Sequence, residues 1–299
     1  MAGSVRIGVS GWSYDAWRGR FYPETLARRR QLEYLARRMT TAEINGSFYS
    51  LQRPTSFRRW YEETPQGFIF AVKGSRFITH MKKLRDVERP LANFFASGVL
   101  RLAEKLGPIL WQFPAHLAYD EERFARFLEL LPRNTEQAAA LARHHDARLR
   151  GRSWTRAEVR RPIRYAFEVR HPSFFDDAFV RLLRRHRAAL VIADTAGRFP
   201  YAEEITAPFV YIRLHGPEVL YAGSYTDARL DAWAARIRAW AAGRMPGDAR
   251  TITRLRPPTA RRGRDVYVYF DNDADGWAPF DAIRLAGRLG VRPAATDAV

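Results

Sequence analysis

Ionisable side chains follow most of the short apolar runs in this 299-residue sequence. Carboxylates there could act as general bases, imidazoles could transfer protons near neutral pH, and a lysine could supply positive charge or a nucleophile. Such a mixture fits hydrolysis or isomerisation and does not choose between them. The candidate catalytic residues are Glu43, Lys73, His80, Glu168, Asp194 and His215.

Further polar and aromatic residues follow the same runs and are candidates for substrate binding. Arginine is prominent among them, and its planar guanidinium suits bidentate binding of phosphate or carboxylate groups. An anionic substrate is therefore expected. The candidate substrate-binding residues are Trp12, Tyr14, Asn45, Gln112, Arg170, His171, Arg213, Asn272 and Asp273.

Some of these residues could instead bind a divalent metal ion. Glu43, Glu168, Asp194 and His215 are oxygen and imidazole donors of the kind that bind Mn, Mg or Zn. Neighbouring arginines could equally neutralise the acids, and no HxH or HExxH spacing occurs. The segment GVSGWS at 8–13 lacks the Walker lysine and the full dinucleotide pattern, so no nucleotide cofactor is expected.

Two other chemistries use the same side chains. A glycosidase would need the carboxyl groups of Glu43 and Glu168 about 5–5.5 Å apart for retention or about 6.5–9.5 Å apart for inversion. Strands two and five lie far apart around a barrel, which disfavours this chemistry. A Schiff base at Lys73 would need a desolvated amine, whose pKa the neighbouring Arg76 and His80 would help to depress.

Alternating strand and helix patterns indicate what positions these residues. Runs rich in branched and aromatic residues predict strands at 5–10, 42–45, 68–73, 109–113, 165–169, 190–194, 209–214 and 266–270. Helical spacing of apolar residues occurs at 28–39, 55–64, 91–106, 121–131, 175–186, 227–242 and 279–289. A doubly wound sheet usually has fewer strands at this length. The alternation predicts an α/β protein, a single (β/α)8 TIM-type barrel over 1–299.

Two segments interrupt the alternation and are predicted as surface insertions, about 134–161 and about 243–264. The first is polar and arginine-rich, and the second contains three prolines and a basic run. In a TIM-type barrel the active site lies at the carboxyl ends of the strands. Because the candidate residues fall at these ends, the sequence predicts one polar pocket there.

The composition narrows the class of protein further. With 50 basic and 32 acidic residues the net charge is +18, which would attract phosphates or nucleic acid. The chain has no cysteine, which excludes a disulfide scaffold and a thiolate metal site. No run approaches the about 18 apolar residues of a membrane span, and the first residues lack signal-peptide features. A cytoplasmic protein without a membrane partner is expected.

Seven sequence blocks resemble one known family, the YecE-like family, a domain of unknown function numbered seventy-two. They are GVSGWSYDAWRGRFYP at 8–23, AEINGSFY at 42–49, FAVKGSRFITHMKKL at 70–84, ILWQFP at 109–114, FEVRHPSF at 167–174, YIRLHGP at 211–217 and VYVYFDND at 266–273. The resemblance implies a TIM-type barrel and carries over no catalytic residue, because the family is named for its unknown function.

The residues favour an enzyme, a hydrolase of phosphoesterase type or an isomerase, which acts on a phosphorylated or other anionic substrate by acid–base chemistry. Metal-dependent phosphoester hydrolysis is one version of it. A nucleic-acid-binding protein or nuclease is an alternative, supported by the charge and by loop aromatics that could stack on bases. A non-catalytic protein that binds a small ligand is another.

Overall fold

The computed structural model describes residues 2–293, which contain one parallel sheet of nine strands. The strands are β1 (Val5–Ser10), β2 (Thr41–Ile44), β3 (Ile69–Lys73), β4 (Leu106–Gln112), β5 (Tyr165–Glu168), β6 (Ala189–Leu190), β7 (Ile192–Asp194), β8 (Phe209–Leu214) and β9 (Asp265–Phe270). Their order is β6-β5-β4-β3-β2-β1-β9-β8-β7. Only Val191 separates β6 from β7, so both edges of the sheet belong to one stretch of chain and the barrel is nearly closed. The predicted TIM-type barrel is confirmed.

Helices surround the strands and bury their apolar faces against them. They are α1 (Gln31–Ala36), α2 (Gly46–Tyr49), α3 (Pro54–Glu62), α4 (Glu88–Ala96), α5 (Glu121–Leu130), α6 (Thr135–Ala142), α7 (Asp177–Arg185), α8 (Asp227–Ala241) and α9 (Ala278–Leu289). Helix α5 begins where the Asp120 carboxylate accepts a hydrogen bond from the Arg123 N–H, which satisfies one of the free amides of the first turn. No helix within residues 2–293 is long and apolar enough to cross a membrane.

The predicted helix at 91–106 is wrong in its second half. Helix α4 ends at Ala96, and Gly98 follows with a φ of 116°. A side chain on Gly98 would lie 2.5 Å from the Pro54 Cα, so this close approach requires glycine. A kinked 3₁₀ segment, Val99–Lys105, then leads directly into β4. The apolar spacing in this region reflects burial in two different elements rather than one helical face.

The two predicted insertions differ in how they pack. The segment 134–161 contains α6, whose Ala138 and Ala142 are fully buried, and Asn93 of α4 hydrogen-bonds to Asp146 within it. Much of this segment therefore belongs to the packed outer layer of the barrel. The segment 243–264 has neither helix nor strand and is held in part by Glu204, which accepts the Thr253 N–H.

Side chains inside the barrel change from apolar to polar toward the carboxyl ends of the strands. Successive strand residues point to opposite faces, so every second residue enters the interior. Phe209 and Tyr211 of β8, Ala71 of β3 and Tyr269 of β9 form a buried interior cluster separate from the main core. At the carboxyl ends of the strands, the interior-facing positions are occupied by polar residues that are buried or nearly so. They are Glu43, Lys73, Gln112, Glu168, Arg213 and Asp271.

Candidate active site

A fully buried arginine, Arg213, lies at the centre of this polar layer. Its guanidinium donates to Glu168 at 2.7 Å, to Glu43 at 2.9 Å and to Asp271 at 2.9 Å. It also donates to the Ser10 hydroxyl at 2.8 Å. We call Arg213 together with Glu43, Glu168 and Asp271 the Arg213 cluster. Because its terminal nitrogens are engaged by carboxylates, the predicted substrate-binding role of Arg213 is not supported by its geometry.

Opposite charges keep Glu168, Asp271 and Arg213 ionised despite their burial. Burial would raise the pKa of Glu168, but the guanidiniums of Arg213 and Arg170 outweigh it and hold the pKa well below its usual range. Asp271 is affected in the same way: burial is outweighed by Arg213 and His215, and its pKa is lowered. Burial alone would lower the pKa of Arg213, whereas the carboxylates raise it well above its ordinary value.

Hydrogen bonds from neighbouring strands complete the cluster. The Tyr211 hydroxyl donates to Glu43 at 2.6 Å and the Ser10 hydroxyl donates to its other oxygen at 2.7 Å. The Asn45 amide donates to the Ser10 hydroxyl at 2.9 Å. These bonds fill most of the acceptor positions of the Glu43 carboxylate, and Asn45 supports the cluster through Ser10.

Two further predicted residues contact the cluster from the side. Arg170 donates to Glu168 at 2.8 and 3.0 Å and to the Tyr221 hydroxyl at 3.0 Å. The Nδ1 atom of His215 lies 2.9 Å from the Asp271 carboxylate. The structure thus brings Glu43, Glu168, Arg213, His215 and Arg170 together, as the sequence predicted. Gln112 is buried and lies opposite Glu168 in the pairing of β4 with β5.

Lys73 lies beside the cluster without joining it. Its ammonium nitrogen is 4.3 Å from the centre of the Phe48 ring and has no hydrogen-bond or ion-pair partner within residues 2–293. Burial, followed by the positive charge of Arg213, lowers the pKa of Lys73 to about 8. The ring of His80 contacts the same Phe48 edge to face at 5.1 Å. Burial and then the charges of Lys73 and Arg170 lower the pKa of His80 to about 4.

Asp273 is the second buried ionisable group near the cluster without a partner. Neither of its carboxylate oxygens accepts a hydrogen bond in the described part of the chain. The nearby Tyr14 hydroxyl donates to the Ser10 carbonyl instead. Burial, followed by the negative charge of Asp271, raises the pKa of Asp273 well above its usual value. Asp273 is therefore a neutral carboxylic acid over part of the range in which carboxylates are normally ionised.

Three predicted site residues have structural contacts elsewhere. Asp194 is out of phase with the interior residues of its strand and accepts a hydrogen bond from Tyr225 at 3.1 Å. Asn272 donates to the Gly223 carbonyl at 2.7 Å and to Asp281. His171 accepts the Ser173 N–H at the start of a short 3₁₀ helix. The predictions of a catalytic Asp194 and of substrate-binding His171 and Asn272 are not supported by these positions.

The predicted metal ligands do not fit a metal ion. The Arg213 guanidinium lies between Glu43 and Glu168 and takes up the carboxylate oxygens that a cation would need. Asp194 faces away from both. Within residues 2–293, no group of three or more histidine, cysteine, aspartate or glutamate side chains is arranged to hold a metal.

Asp271 is the cluster residue that the sequence prediction missed. It directly follows β9, in which Tyr267 and Tyr269 point into the barrel. Every second residue of a strand faces the same side, so the interior-facing position after Tyr269 is Asp271 and not Asn272. The period-two pattern of VYVYFDND therefore contained the signal.

A cleft of about 330 Å³ at the carboxyl end of β7 is lined by Asp194, Thr195 and Arg229. Two further clefts open near the carboxyl end of the barrel. One, of about 430 Å³, is lined by Trp12, Tyr14, Asn45, Tyr49 and Trp60. Trp12 packs edge to face on Trp60, with 5.5 Å between ring centres, so it forms a rigid wall. The other, of about 690 Å³, lies between the loops that follow β3 and β4, and its basic lining residues are Lys82, Lys83, Arg85, His116 and Arg123.

The two neighbouring aspartates are expected to respond oppositely to amide substitution. Asp271→Asn removes a charge that Arg213 and His215 stabilise, and it should lower the free energy of unfolding at pH 7 by about 2 kcal/mol. Asp273→Asn replaces an unpaired carboxyl by a neutral group of the same shape, and it should leave that free energy unchanged or raise it. Urea denaturation of both variants measures this, and equal destabilisation by both would contradict our assignment of their charges.

The fold and the site together define the class of protein. It is a single-domain (β/α)8 barrel whose interior holds a buried arginine among three carboxylates. The chain belongs to the family described as "Protein of unknown function DUF72", which it matches over residues 6–298. The resemblance to the YecE-like family is confirmed.

Relatives and solved structures agree with this membership. The chain is similar to the UPF0759 protein YecE of Escherichia coli strain K12, with 27% identity over 172 residues, 57% of this chain and 50% of YecE. It is also similar to the UPF0759 protein YunF of Bacillus subtilis strain 168, with 26% identity over 127 residues, 40% of this chain and 44% of YunF. The matched regions thus span about half the length of these relatives or less.

The solved structures match nearly the whole chain. A DUF72 family protein from Thermotoga maritima, TM1631, has a TM-score of 0.71 and 23% identity, and the match covers 96% of this chain and 99% of that one. A DUF72 family protein from Enterococcus faecalis, EF0366, has a TM-score of 0.66 and 16% identity, covering 98% and 100%. At these identities the likeness shows the fold alone.

Proposed function

We propose that this protein is an enzyme that acts by acid–base chemistry on a small anionic substrate, such as a phosphorylated compound, at the carboxyl end of the barrel. The observation that carries the proposal is Lys73, whose side chain is buried beside the Arg213 cluster while its amine has no hydrogen-bond or ion-pair partner within residues 2–293. Burying an unpaired cation costs stability, so such a group is more typical of a functional site than of a structural one.

Positive charge around Lys73 supports an anionic substrate. Arg213 is neutralised by its three carboxylates, whereas Lys73, Arg76 and Arg170 surround His80 closely enough to lower its pKa. The loop after β3 continues into Lys82 and Lys83 at the basic cleft. An anion near Lys73 would supply the missing counter-charge and strengthen its own binding in a site with little water.

The pKa values of the unpaired groups support proton transfer. An amine with a pKa of about 8 exchanges its proton near neutral pH, which suits a general acid or base. The imidazole of His80 is neutral at pH 7, since its pKa is about 4. Asp273 with its raised pKa can act as a proton donor. These roles fit isomerisation or hydrolysis, and the Arg213 cluster would hold the surrounding strand ends rigid.

Small anions are expected to stabilise the wild-type protein against heat through Lys73. We expect inorganic phosphate or a phosphorylated or carboxylated metabolite, at concentrations well above its dissociation constant, to raise the Tm by about 3 °C or more. Lys73→Met should abolish most of this shift because the anion loses its counter-charge. Arg126→Gln, which removes an exposed cation from α5, is the matched control and should keep the shift. An equal shift in wild type and Lys73→Met would contradict the proposal.

The basic cleft favours nucleic acid as a second candidate ligand. The salt dependence of binding distinguishes a nucleic acid from a small anion. A single-stranded oligonucleotide bound along Lys82 and Lys83 should lose affinity steeply as salt rises, more steeply than a small anion does. Its binding should weaken in a Lys82→Gln, Lys83→Gln variant and persist in Lys73→Met. Turnover separates an enzyme from a binding protein: proton NMR in D₂O should show deuterium incorporation or product formation from a ligand that stabilises the wild type.

A further inference from the structure

Two lysines are buried in this barrel, and they differ in what their amines contact. Lys105 donates to the carbonyls of Tyr61 and Thr64, both at 2.6 Å, and to the Thr64 hydroxyl at 3.1 Å. Three acceptors satisfy an ammonium group completely. The Lys73 amine is buried to a similar degree and has no such acceptor within residues 2–293. Acceptors therefore stabilise the ammonium of Lys105, whereas no acceptor within residues 2–293 hydrogen-bonds to that of Lys73, which loses its proton more readily.

The backbone and the ring next to Lys73 hold this amine in place. The Ser47 hydroxyl donates to the Lys73 carbonyl at 2.6 Å, which ties the end of β3 to α2. Phe48 of the same helix presents its ring to the amine. Gly74 follows directly, and a side chain there would lie 2.2 Å from the Trp111 ring, so the chain is tightly packed at this point. The side chain of Lys73 therefore emerges from a rigid base.

A neutral, desolvated amine next to cationic groups is the usual state of a lysine that attacks carbonyl carbons. Arg213 lies close enough to lower the pKa of Lys73, and Arg170 and Lys73 both act on the neighbouring His80. Desolvation and the positive charge of Arg213 thus outweigh the opposing effect of the carboxylates of the Arg213 cluster on the pKa of Lys73. A nucleophile needs its lone pair unshared, and the lowered pKa of Lys73 makes the unprotonated amine accessible near neutral pH.

We propose that Lys73 forms a Schiff base with aldehyde or ketone substrates that carry an anionic group. The inference rests on the proposed function for the anion and adds the carbonyl. The Nζ lone pair adds to the carbonyl carbon, and a proton moves from nitrogen to oxygen to give a carbinolamine. The C–O bond then breaks with loss of water, so that amine and carbonyl become imine and water without any redox change. The neutral imidazole of His80, which contacts the same Phe48 ring as Lys73, is available to exchange these protons.

The chain provides its own controls, because Lys73, Lys82, Lys83 and Lys105 are its only lysines. The intact protein would be incubated at pH 7.5 with glyoxylate, a small anionic aldehyde, and sodium cyanoborohydride. This reductant converts an imine into a stable secondary amine. Peptide mapping by mass spectrometry then gives the labelling rate of each lysine. We expect Lys73 to be labelled at least tenfold faster than Lys82 and Lys83, which are more exposed, and Lys105 to remain unlabelled.

Labelling of Lys73 no faster than that of Lys82 and Lys83 would overturn the inference. The neutral aldehyde acetaldehyde separates this result from failure of the proposed function. If it labels Lys73 as fast as glyoxylate does, Lys73 is the nucleophile but the preference for anions is wrong. If phosphate stabilises the protein through Lys73 while neither aldehyde labels it, the anion site stands and the Schiff base does not.

Discussion

Replacing Arg213 with methionine is expected to lower the free energy of unfolding by at least about 4 kcal/mol. The substitution leaves the carboxylates of Glu43, Glu168 and Asp271 buried without the guanidinium that compensates them. Removing one partner of a buried ion pair typically costs about 3–5 kcal/mol, and here three carboxylates lose a partner at once, of which Glu168 keeps a second guanidinium, that of Arg170. Urea denaturation at pH 7, monitored by the fluorescence of the eight tryptophans, measures the loss.

Arg264→Met is the matched control for this substitution. Arg264 is also buried, but its guanidinium donates to the backbone carbonyls of Pro258 and Arg244 rather than to carboxylates. Its loss should cost only about 1–2 kcal/mol, since neutral acceptors are left behind. A similar loss in both variants would mean that buried volume rather than charge makes Arg213 important, and the description of the cluster would have to be revised.

Replacing Lys73 with methionine is expected to have the opposite effect and to stabilise the protein at pH 7 by about 3 kcal/mol. The pKa of Lys73 is about 8 in the folded chain and that of an ordinary lysine is 10.5. Each unit of difference corresponds to about 1.36 kcal/mol. Below pH 8 the folded state has to keep a buried, unpaired ammonium, so it carries the whole penalty. Methionine has nearly the same length and removes the charge.

The lowered pKa of Lys73 also makes the stability of the protein depend on pH. Between pH 8 and pH 10.5 the unfolded chain still binds the proton that folded Lys73 has released, so the wild type gains stability as the pH rises. The advantage of Lys73→Met should therefore be largest below pH 8 and fade as the pH approaches 10.5. Urea denaturation of both proteins from pH 6 to pH 10 measures it.

Lys105→Met is the control for the lysine prediction. This substitution removes an ammonium that three acceptors satisfy, and it takes a donor from the carbonyls of Tyr61 and Thr64. It should therefore destabilise the protein across the same pH range. A Lys73→Met variant less stable than the wild type at pH 7 would show that Lys73 has a structural role, and the proposed function would lose its main support.

Together the two predictions separate the roles of neighbouring charges in one layer of the barrel. The Arg213 cluster is satisfied internally, and removing any part of it should harm the fold. Lys73 is kept at the expense of stability, as is common for groups that act on a substrate. Measurements of stability can thus distinguish the structural residues of this site from the functional ones before any substrate is known.

The amino-acid sequence by itself determined the architecture of this protein. Continuous apolar runs at 5–10, 209–214 and 266–270 predict strands buried on both faces, and those strands occur there. Local patterns suffice because burial on both faces and the turn signals between elements are properties of short segments. Polar residues directly after these runs also predict that a site forms at the carboxyl ends, and most of its members are among them.

The three-dimensional arrangement decided which of these residues act together. Arg213 bonds to Glu43, Glu168 and Asp271, which are separated from it by 170, 45 and 58 positions in the chain. Partner choice over such distances depends on strand order and on the phase of each strand. Because successive residues point to opposite faces, Asp271 lies inside the barrel and its neighbour Asn272 lies outside. The same alternation directs Asp194 toward Tyr225.

Only the folded chain shows which charges are compensated. Lys73 and Lys105 are the same residue type, both come near the carboxyl end of an apolar or amphipathic run, and both are buried. The acceptors that satisfy Lys105 come from Tyr61 and Thr64, more than 40 positions earlier, while none reaches Lys73 within the described chain. A pKa depends on burial and on neighbours in space, so the feature that carries the proposed function exists only in the tertiary structure.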